Sequence, residues 1–222
     1  MLTITLPDGS KLDIEEGKTV HQLAEKIGAG LAKAALAAEI DGRIVDLATP
    51  LEKSTSVRIL TARDPEGLEI MRHSCAHVMA EAICSIWHDA QLVYGPTVEN
   101  GFYYDIDLDE TITPDDFPKI EQKMKEIIKA DYPFIRKEMD KEQALARCSG
   151  NKYKIDNIEN SDAETFSFYS HGGGFEDLCR GPHVPSTGKI GAFKVMSVAG
   201  AYWHGDPTQK MLQRVYGTCF AD

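Results

Sequence analysis

The feature that most constrains this chain is the break at Ala62-Arg63-Asp64-Pro65. Asp before Pro is a helix-start signal, an N-cap residue followed by the residue best tolerated at the first helical position. The pattern behind it predicts a helix running to about Trp87, with Ile70, His73, His77, Ala80, Cys84 and Trp87 on one face. Ahead of the break the period is two. Residues 2–6 and 11–14 alternate around the turn Pro7-Asp8-Gly9-Ser10, and Asp41-Gly42 separates 37–40 from 44–47, which predicts two hairpins. Thr19 caps a short helix bearing Val20, Leu23, Ala24 and Ile27, ended by Gly28, and 56–61 supplies a closing strand. The expectation is an α+β protein with a small roll at 1–62 and a larger α+β domain at 63–222.

Within the second part, the Gly-Pro and Asn-Gly turns of 94–105 flank aromatic, strand-like residues. Thr113-Pro114-Asp115-Asp116 opens an amphipathic helix with Phe117, Ile120, Met124 and Ile127 inward. Residues 134–138, 153–155 and 166–169 read as short strands, and Asp140 caps a helix to Arg147. The last fifty residues are rich in glycine. His171 precedes Gly172-Gly173-Gly174 and reads as an exposed histidine on a mobile loop. The glycine run lacks the Lys-Ser/Thr ending of a phosphate loop, which argues against nucleotide hydrolysis.

Composition narrows the function classes. No stretch approaches the length of apolar sequence that spans a bilayer, and no basic, then apolar, secretory leader is visible. Five cysteines, an odd number, read as reduced thiols in the cytoplasm. Lys+Arg 24 against Asp+Glu 35 gives a net charge of −11, which argues against generic, phosphate-driven nucleic-acid binding. Most of the excess lies beyond residue 62, where 17 basic side chains face 26 acidic ones.

The chemistry-bearing residues recur at one spacing. His73-Ser-Cys-Ala-His77 is HxxxH on the predicted helix, so both imidazoles share a face. Cys179-Arg-Gly-Pro-His183 repeats the spacing in a segment that Gly181-Pro182 keeps from being helical. Three imidazoles and a thiol match the ligand set of a tetrahedral zinc site, although the absence of Glu after the first His excludes the zinc-peptidase pattern. Cys75 falls off the His73/His77 face and reads as packing, as do Cys84, Cys148 and Cys219. Cys179, among Asp177, Arg180 and His183, reads as a ligand or substrate contact rather than a nucleophile. By itself Lys154 reads as a solvated lysine on an edge strand, and Tyr103, Tyr104, Tyr202 and Trp203 as packing aromatics.

The motifs HSCAH, YGPTVENGFYYD, DLCRGPH and AGAYWHGD, in this order behind a small α+β module, resemble the N-terminal half of bacterial threonyl-tRNA synthetases. The resemblance implies a ubiquitin-like β-grasp TGS domain, followed by an editing domain whose long HxxxH helix packs on a sheet. It implies hydrolysis of mischarged seryl-tRNA(Thr), with His73, His77, Cys179, His183 and Lys154 lining the pocket. By the same resemblance Asp177 meets the α-ammonium of the substrate, Tyr104 contacts the terminal adenosine or the seryl group, and Arg180 binds substrate. The partners expected are the serine-bearing acceptor end of tRNA and the remaining synthetase domains, with no membrane. No metal is expected: the threonyl branch resembles the zinc-binding alanyl editing domains but is taken to work without zinc, and four protein ligands would leave no open position for water. The alternatives are a zinc-dependent trans-editing deacylase of alanyl type and a non-catalytic tRNA-binding module.

Overall fold

A computed structural model describes residues 1–172 and 174–222, so Gly173 of the predicted glycine loop lies outside the described residues. The chain forms two compact units, Met1–Met71 with Gly181–Pro185, and Arg72–Arg180 with Ser186–Phe220.

The first unit contains β1 (Leu2–Thr5), β2 (Lys11–Ile14), α1 (Val20–Ile27), α2 (Ala29–Ala34), β3 (Ala35–Ile40), β4 (Arg43–Val45) and β5 (Thr55–Thr61). The sheet order is β2-β1-β5-β3-β4, with β1 and β5 parallel at the centre and the other pairs antiparallel. This mixed sheet is β-grasp-like. Alternate positions Leu2 and Ile4 bury with Ile14, Val57 and the α1 face Val20, Leu23 and Ala24. Thr19 and Gln22 form a reciprocal capping box at the start of α1. The short α2 fills the interval between Gly28 and the next strand, where no helix was expected.

The long helix α3 (Pro65–Ile86) begins where predicted. The Asp64 side chain turns back to accept from Thr61 N–H and Oγ1, while its carbonyl accepts from Leu68. Gly67 is required here, because a Cβ would lie 1.9 Å from the Thr61 carbonyl oxygen.

The second unit continues with β6 (Gln91–Tyr94), β7 (Thr97–Val98), β8 (Gly101–Asp107), α4 (Phe117–Ala130), β9 (Ile135–Asp140), α5 (Lys141–Arg147), α6 (Lys152–Glu159), β10 (Thr165–His171), β11 (Phe175–Leu178), β12 (Ala192–Tyr202) and β13 (Met211–Phe220). Its sheets run β11-β10-β9 and β12-β13-β8-β6, with β7 paired to β8. Ile120, Met124 and Ile127 are the buried face of α4, and Asp140 caps α5 through a box with Gln143.

Two expectations are corrected. Residues 153–155 are not a strand but the first turn of α6, where the Asn151 side chain accepts from the N–H groups of Tyr153 and Lys154. A three-residue window shows no period, whereas the whole helix buries Tyr153, Lys154 and Ile158 on one face. His171 is not an exposed loop residue; it ends β10 and is buried between aromatic rings.

Candidate functional site

Four parts of the second unit bring His73, His77, Tyr104, Lys154, Asp177 and Cys179 together. One turn of α3 presents His73 and His77, their rings 5.1 Å apart and nearly perpendicular. The β10–β11 hairpin presents Asp177, with Cys179 just past its end; Cys179 N–H donates to the Ser167 carbonyl, which holds the loop against β10. The first turn of α6 supplies Lys154, and β8 supplies Tyr104. His183 follows in the Gly181–Pro185 segment, with its N–H donating to Asp46 Oδ1 at 2.9 Å and its side chain buried. Arg180 is exposed.

The lysine is not solvated. Lys154 Nζ lies 2.7 Å from Asp177 Oδ1, with side-chain exposures of 8% and 3%, and 3.4 Å from the Tyr104 hydroxyl. That hydroxyl donates a short hydrogen bond to Asp177 Oδ2. Burial alone would raise the Asp177 carboxyl, but the neighbouring Lys154 charge, then His77, and the hydrogen bonds from Lys154 and Tyr104 hold it below the ordinary carboxylate range. Burial, followed by the Asp177 charge, pushes the Tyr104 phenol well above its usual value, so it remains a donor. An ammonium has three N–H donors; among the described residues two are directed at Asp177 and Tyr104, which leaves one for another acceptor.

The two imidazoles differ in burial. Burial lowers His77 to about 3, against the pull of Asp177, whose Oδ2 is 3.8 Å from His77 Nδ1. At neutral pH His77 is therefore neutral, able to donate through one nitrogen and accept through the other. His73 is half-buried, and its Nε2 lies 3.2 Å from Cys179 Sγ. Within the second unit the ligand atoms of His73, His77 and Cys179 lie within 4.8 Å of one another, and by donor type and closeness these three could hold a metal ion.

Two contributors were not singled out from the sequence. Gly95 lets the Tyr104 ring lie against the backbone, since a Cβ there would come 2.3 Å from Cδ2; its Gly-Pro setting marked only a turn. Glu81, one turn beyond His77 on α3, contacts buried His171 at 2.8 Å. Its i+4 spacing was a visible signal, but its partner lies ninety residues away. Cys75, Cys148 and Cys219 are buried, and burial raises the half-buried Cys84 to about 12, so all four stand apart from Cys179.

Residues 2–61 match the TGS domain, and 166–216 match the threonyl and alanyl tRNA synthetase second additional domain. The chain is 51% identical to the threonine–tRNA ligase of Citrifermentans bemidjiense over 223 aligned residues, covering 100% of this chain and 35% of that protein. It is 49% identical to threonine–tRNA ligase 1 of Bacillus subtilis, covering 99% of the chain and 34% of the relative. It is 48% identical to the Burkholderia orbicola enzyme, covering 99% and 35%. The chain thus spans about a third of the length of the curated relatives it matches. With matches to a TGS domain and to a second additional domain in one order, and about half of the aligned positions identical, the chain is similar along its whole length to threonine–tRNA ligases.

Proposed function

We propose that residues 63–222 form an editing domain that hydrolyses the ester joining serine to the terminal adenosine of tRNA(Thr), after transfer, and that residues 1–62 are its TGS partner. The single observation that carries this reading is the buried Lys154–Asp177–Tyr104 network beside the contact between His73 and Cys179. A buried cation with one donor to spare is suited to an oxyanion that forms only during ester hydrolysis. The need follows from pocket energetics. Serine lacks one methyl of threonine, a difference that a binding pocket discriminates by about 1–3 kcal/mol, so a second, hydrolytic sieve supplies the missing selectivity.

In this reading the attacking water sits between His73 and Lys154. Its proton passes to His73 as its oxygen bonds to the carbonyl carbon. The oxyanion is met by Lys154 and by N–H donation from neutral His77. Collapse expels the ribose oxygen, which takes the proton from His73. Asp177 holds Lys154 and presents the negative charge that the seryl α-ammonium meets, while Tyr104 lines the adenosine or seryl side. Cys179 and His183 shape the pocket, and Arg180 meets the acceptor strand. The partners are the tRNA acceptor end and the remaining domains of a cytoplasmic synthetase; among the described residues, no helix is long and apolar enough to cross a membrane.

As residue types His73, His77, Cys179 and His183 fit zinc, and they are the residues that would hold it. When bound, zinc would supply Lewis-acid polarisation and charge neutralisation. Four protein ligands would fill a tetrahedral shell, so the reaction is assigned to the side chains. The closeness of His73, His77 and Cys179 is the observation that favours the alternative, a zinc-dependent deacylase of alanyl type.

Incubating the 222-residue chain with seryl- and threonyl-tRNA(Thr) tests the proposal. Selective loss of the seryl ester is expected, abolished by His73→Ala and by Lys154→Ala. Wild-type rates in both variants, or equal release of both amino acids, would overturn it. Metal analysis, with the assay repeated after chelation, decides between the metal-free and zinc-dependent forms: activity lost on chelation and restored by zinc would establish the second.

A further inference from the structure

The α3 face that carries His73 and His77 continues one turn further to Glu81, at i, i+4 and i+8. Each of the three meets a different point of the β10–β11 hairpin and the loop just past it. His73 Nε2 is 3.2 Å from Cys179 Sγ, His77 Nδ1 is 3.8 Å from Asp177 Oδ2, and Glu81 Oε2 is 2.8 Å from His171 Nε2. The first two contacts belong to the proposed reaction centre. The third has no part in the chemistry.

That third contact is a costly one to keep. The His171 side chain is wholly sealed from solvent and that of Glu81 is 13% exposed. The approach is close, yet neither ring nitrogen of His171, nor Glu81 Oε2, makes an aligned hydrogen bond among the described residues. Desolvated ion contacts of this kind are poor sources of stability, and well-packed apolar residues of similar volume hold a fold as well or better. Their best-attested use is to specify register. Beside His77 and Glu81 on α3, Ala76, Ala80 and Ala82 are small and apolar, while Val78, Met79 and Ile83 are larger and fully buried.

The geometry points to Glu81 and His171 as a positioning pair that sets the axial register of α3 against the β10–β11 hairpin; the inference rests on the editing reading for its catalytic consequence. Within the hairpin, His171 is paired with Phe175 and Tyr169 with Asp177, so the backbone ladder links the anchored residue to the catalytic carboxylate. Phe175 also connects the two ends through its side chain: its ring lies 4.9 Å from His171 and stands edge-on to His77 at 6.3 Å. Phe134 closes the other side of the His171 ring at 4.6 Å. A helix rises about 1.5 Å per residue, so a slip of one residue would take both the Glu81–His171 and the His73–Cys179 contacts out of range. Neither Glu81 nor His171 touches substrate in this scheme. They hold the histidines at the height the chemistry needs.

The test uses Glu81→Gln, and the double variant Glu81→Met with His171→Phe, in the 222-residue chain. Three readouts are taken: kcat and KM for seryl-tRNA hydrolysis, thermal midpoint, and the rate of Cys179 alkylation by iodoacetamide without tRNA, located by mass spectrometry. Both variants should lower kcat by about tenfold or more with KM within about threefold, as expected when reacting groups are misplaced by an ångström or so. Alkylation of Cys179 should change by about threefold or more for the same reason. The apolar double variant should melt no lower than the wild type, which separates register from stability. If that double variant does not fold, Glu81→Gln decides the matter through the same readouts. Wild-type kcat, or an unchanged Cys179 rate, in a folded variant would overturn the pair as a register device. Failure of the editing reading is seen separately, as absence of seryl-ester loss by the wild-type chain, and the alkylation rate then decides the register alone.

Discussion

Replacing Lys154 with methionine keeps most of the side-chain volume and removes one charge of a pair whose other member stays buried. Among the described residues, Asp177 would retain the Tyr104 hydroxyl and His77 at 3.8 Å as polar neighbours of its carboxylate. Breaking a buried ion pair from one side costs about 3–5 kcal/mol. For a unit of this size each kcal/mol moves the thermal midpoint by about 2–4 °C, so a fall of about 6–20 °C is expected. The loss should depend on pH with a definite sign. Lys154 is the leading influence holding Asp177 below the ordinary carboxylate range against burial. Without it, burial dominates and the folded-state pKa rises above the unfolded value of about 3.9. A carboxyl raised in this way stabilises the fold below the unfolded pKa, and that contribution disappears as pH rises through the folded one. The gap between variant and wild type should therefore be small at pH 4 and large at pH 7. Calorimetric melts at both values measure it, and adding Asp177→Asn to the variant should recover most of the loss at pH 7. A Lys154→Met chain that melts with the wild type at pH 7, or a gap that does not change with pH, would refute the reasoning. Activity of any Lys154 variant has to be measured below its own transition, or unfolding would be mistaken for lost chemistry.

Gly95→Ala should cost about 1–3 kcal/mol and lower seryl-ester hydrolysis, because the new Cβ would sit 2.3 Å from Tyr104 Cδ2 and force that buried ring off Asp177; unchanged melting and activity would show that the ring has room to yield. Cys84, its thiol pushed up to about 12 by burial, should resist iodoacetamide at pH 8 while Cys179 reacts, and labelling of Cys84 first would contradict this. The 222-residue chain, with a net charge of −11, should bind tRNA weakly and lose that binding further as salt rises; tight binding that ignores salt would be incompatible with contact limited to the acceptor end.

Much of the fold was legible because its signals are local. Thr19, Asp140 and Thr113 mark helix starts through side chains that bond within three residues, and Asp41-Gly42 marks a hairpin by the backbone it permits. Alternation at 2–6 and 11–14 predicted the first pair of strands in register around the turn. What failed was equally local in cause. Tyr153-Lys154-Ile155 was too short to separate a helical period from an alternating one. Its helix is announced instead by Asn151, an N-cap signal standing just before the window. The short α2 lies directly after a helix-ending glycine and carries little polar contrast, so neither stop nor period marked it.

The site divides along a different line. HxxxH on a predicted helix shows by itself that two imidazoles share a face, and the same spacing at Cys179 and His183 suggests that they meet them. No local pattern, though, reveals the state of a charge. Lys154 and Asp177 are ordinary surface residue types, and only the tertiary fold seals them together, with Tyr104 from β8 completing the set. His171 misled for the same reason: three glycines after it indicate a turn, but its own ring is covered by Phe134, thirty-seven residues earlier. The partner that gives His171 its meaning, Glu81, was nonetheless marked by the helix period, since it extends the His73/His77 face by one turn. A face continued by a carboxylate toward the core implies a polar partner somewhere in the chain, because a buried polar group left without one is costly. The spacing in α3 thus predicts that such a partner exists, and the fold identifies it.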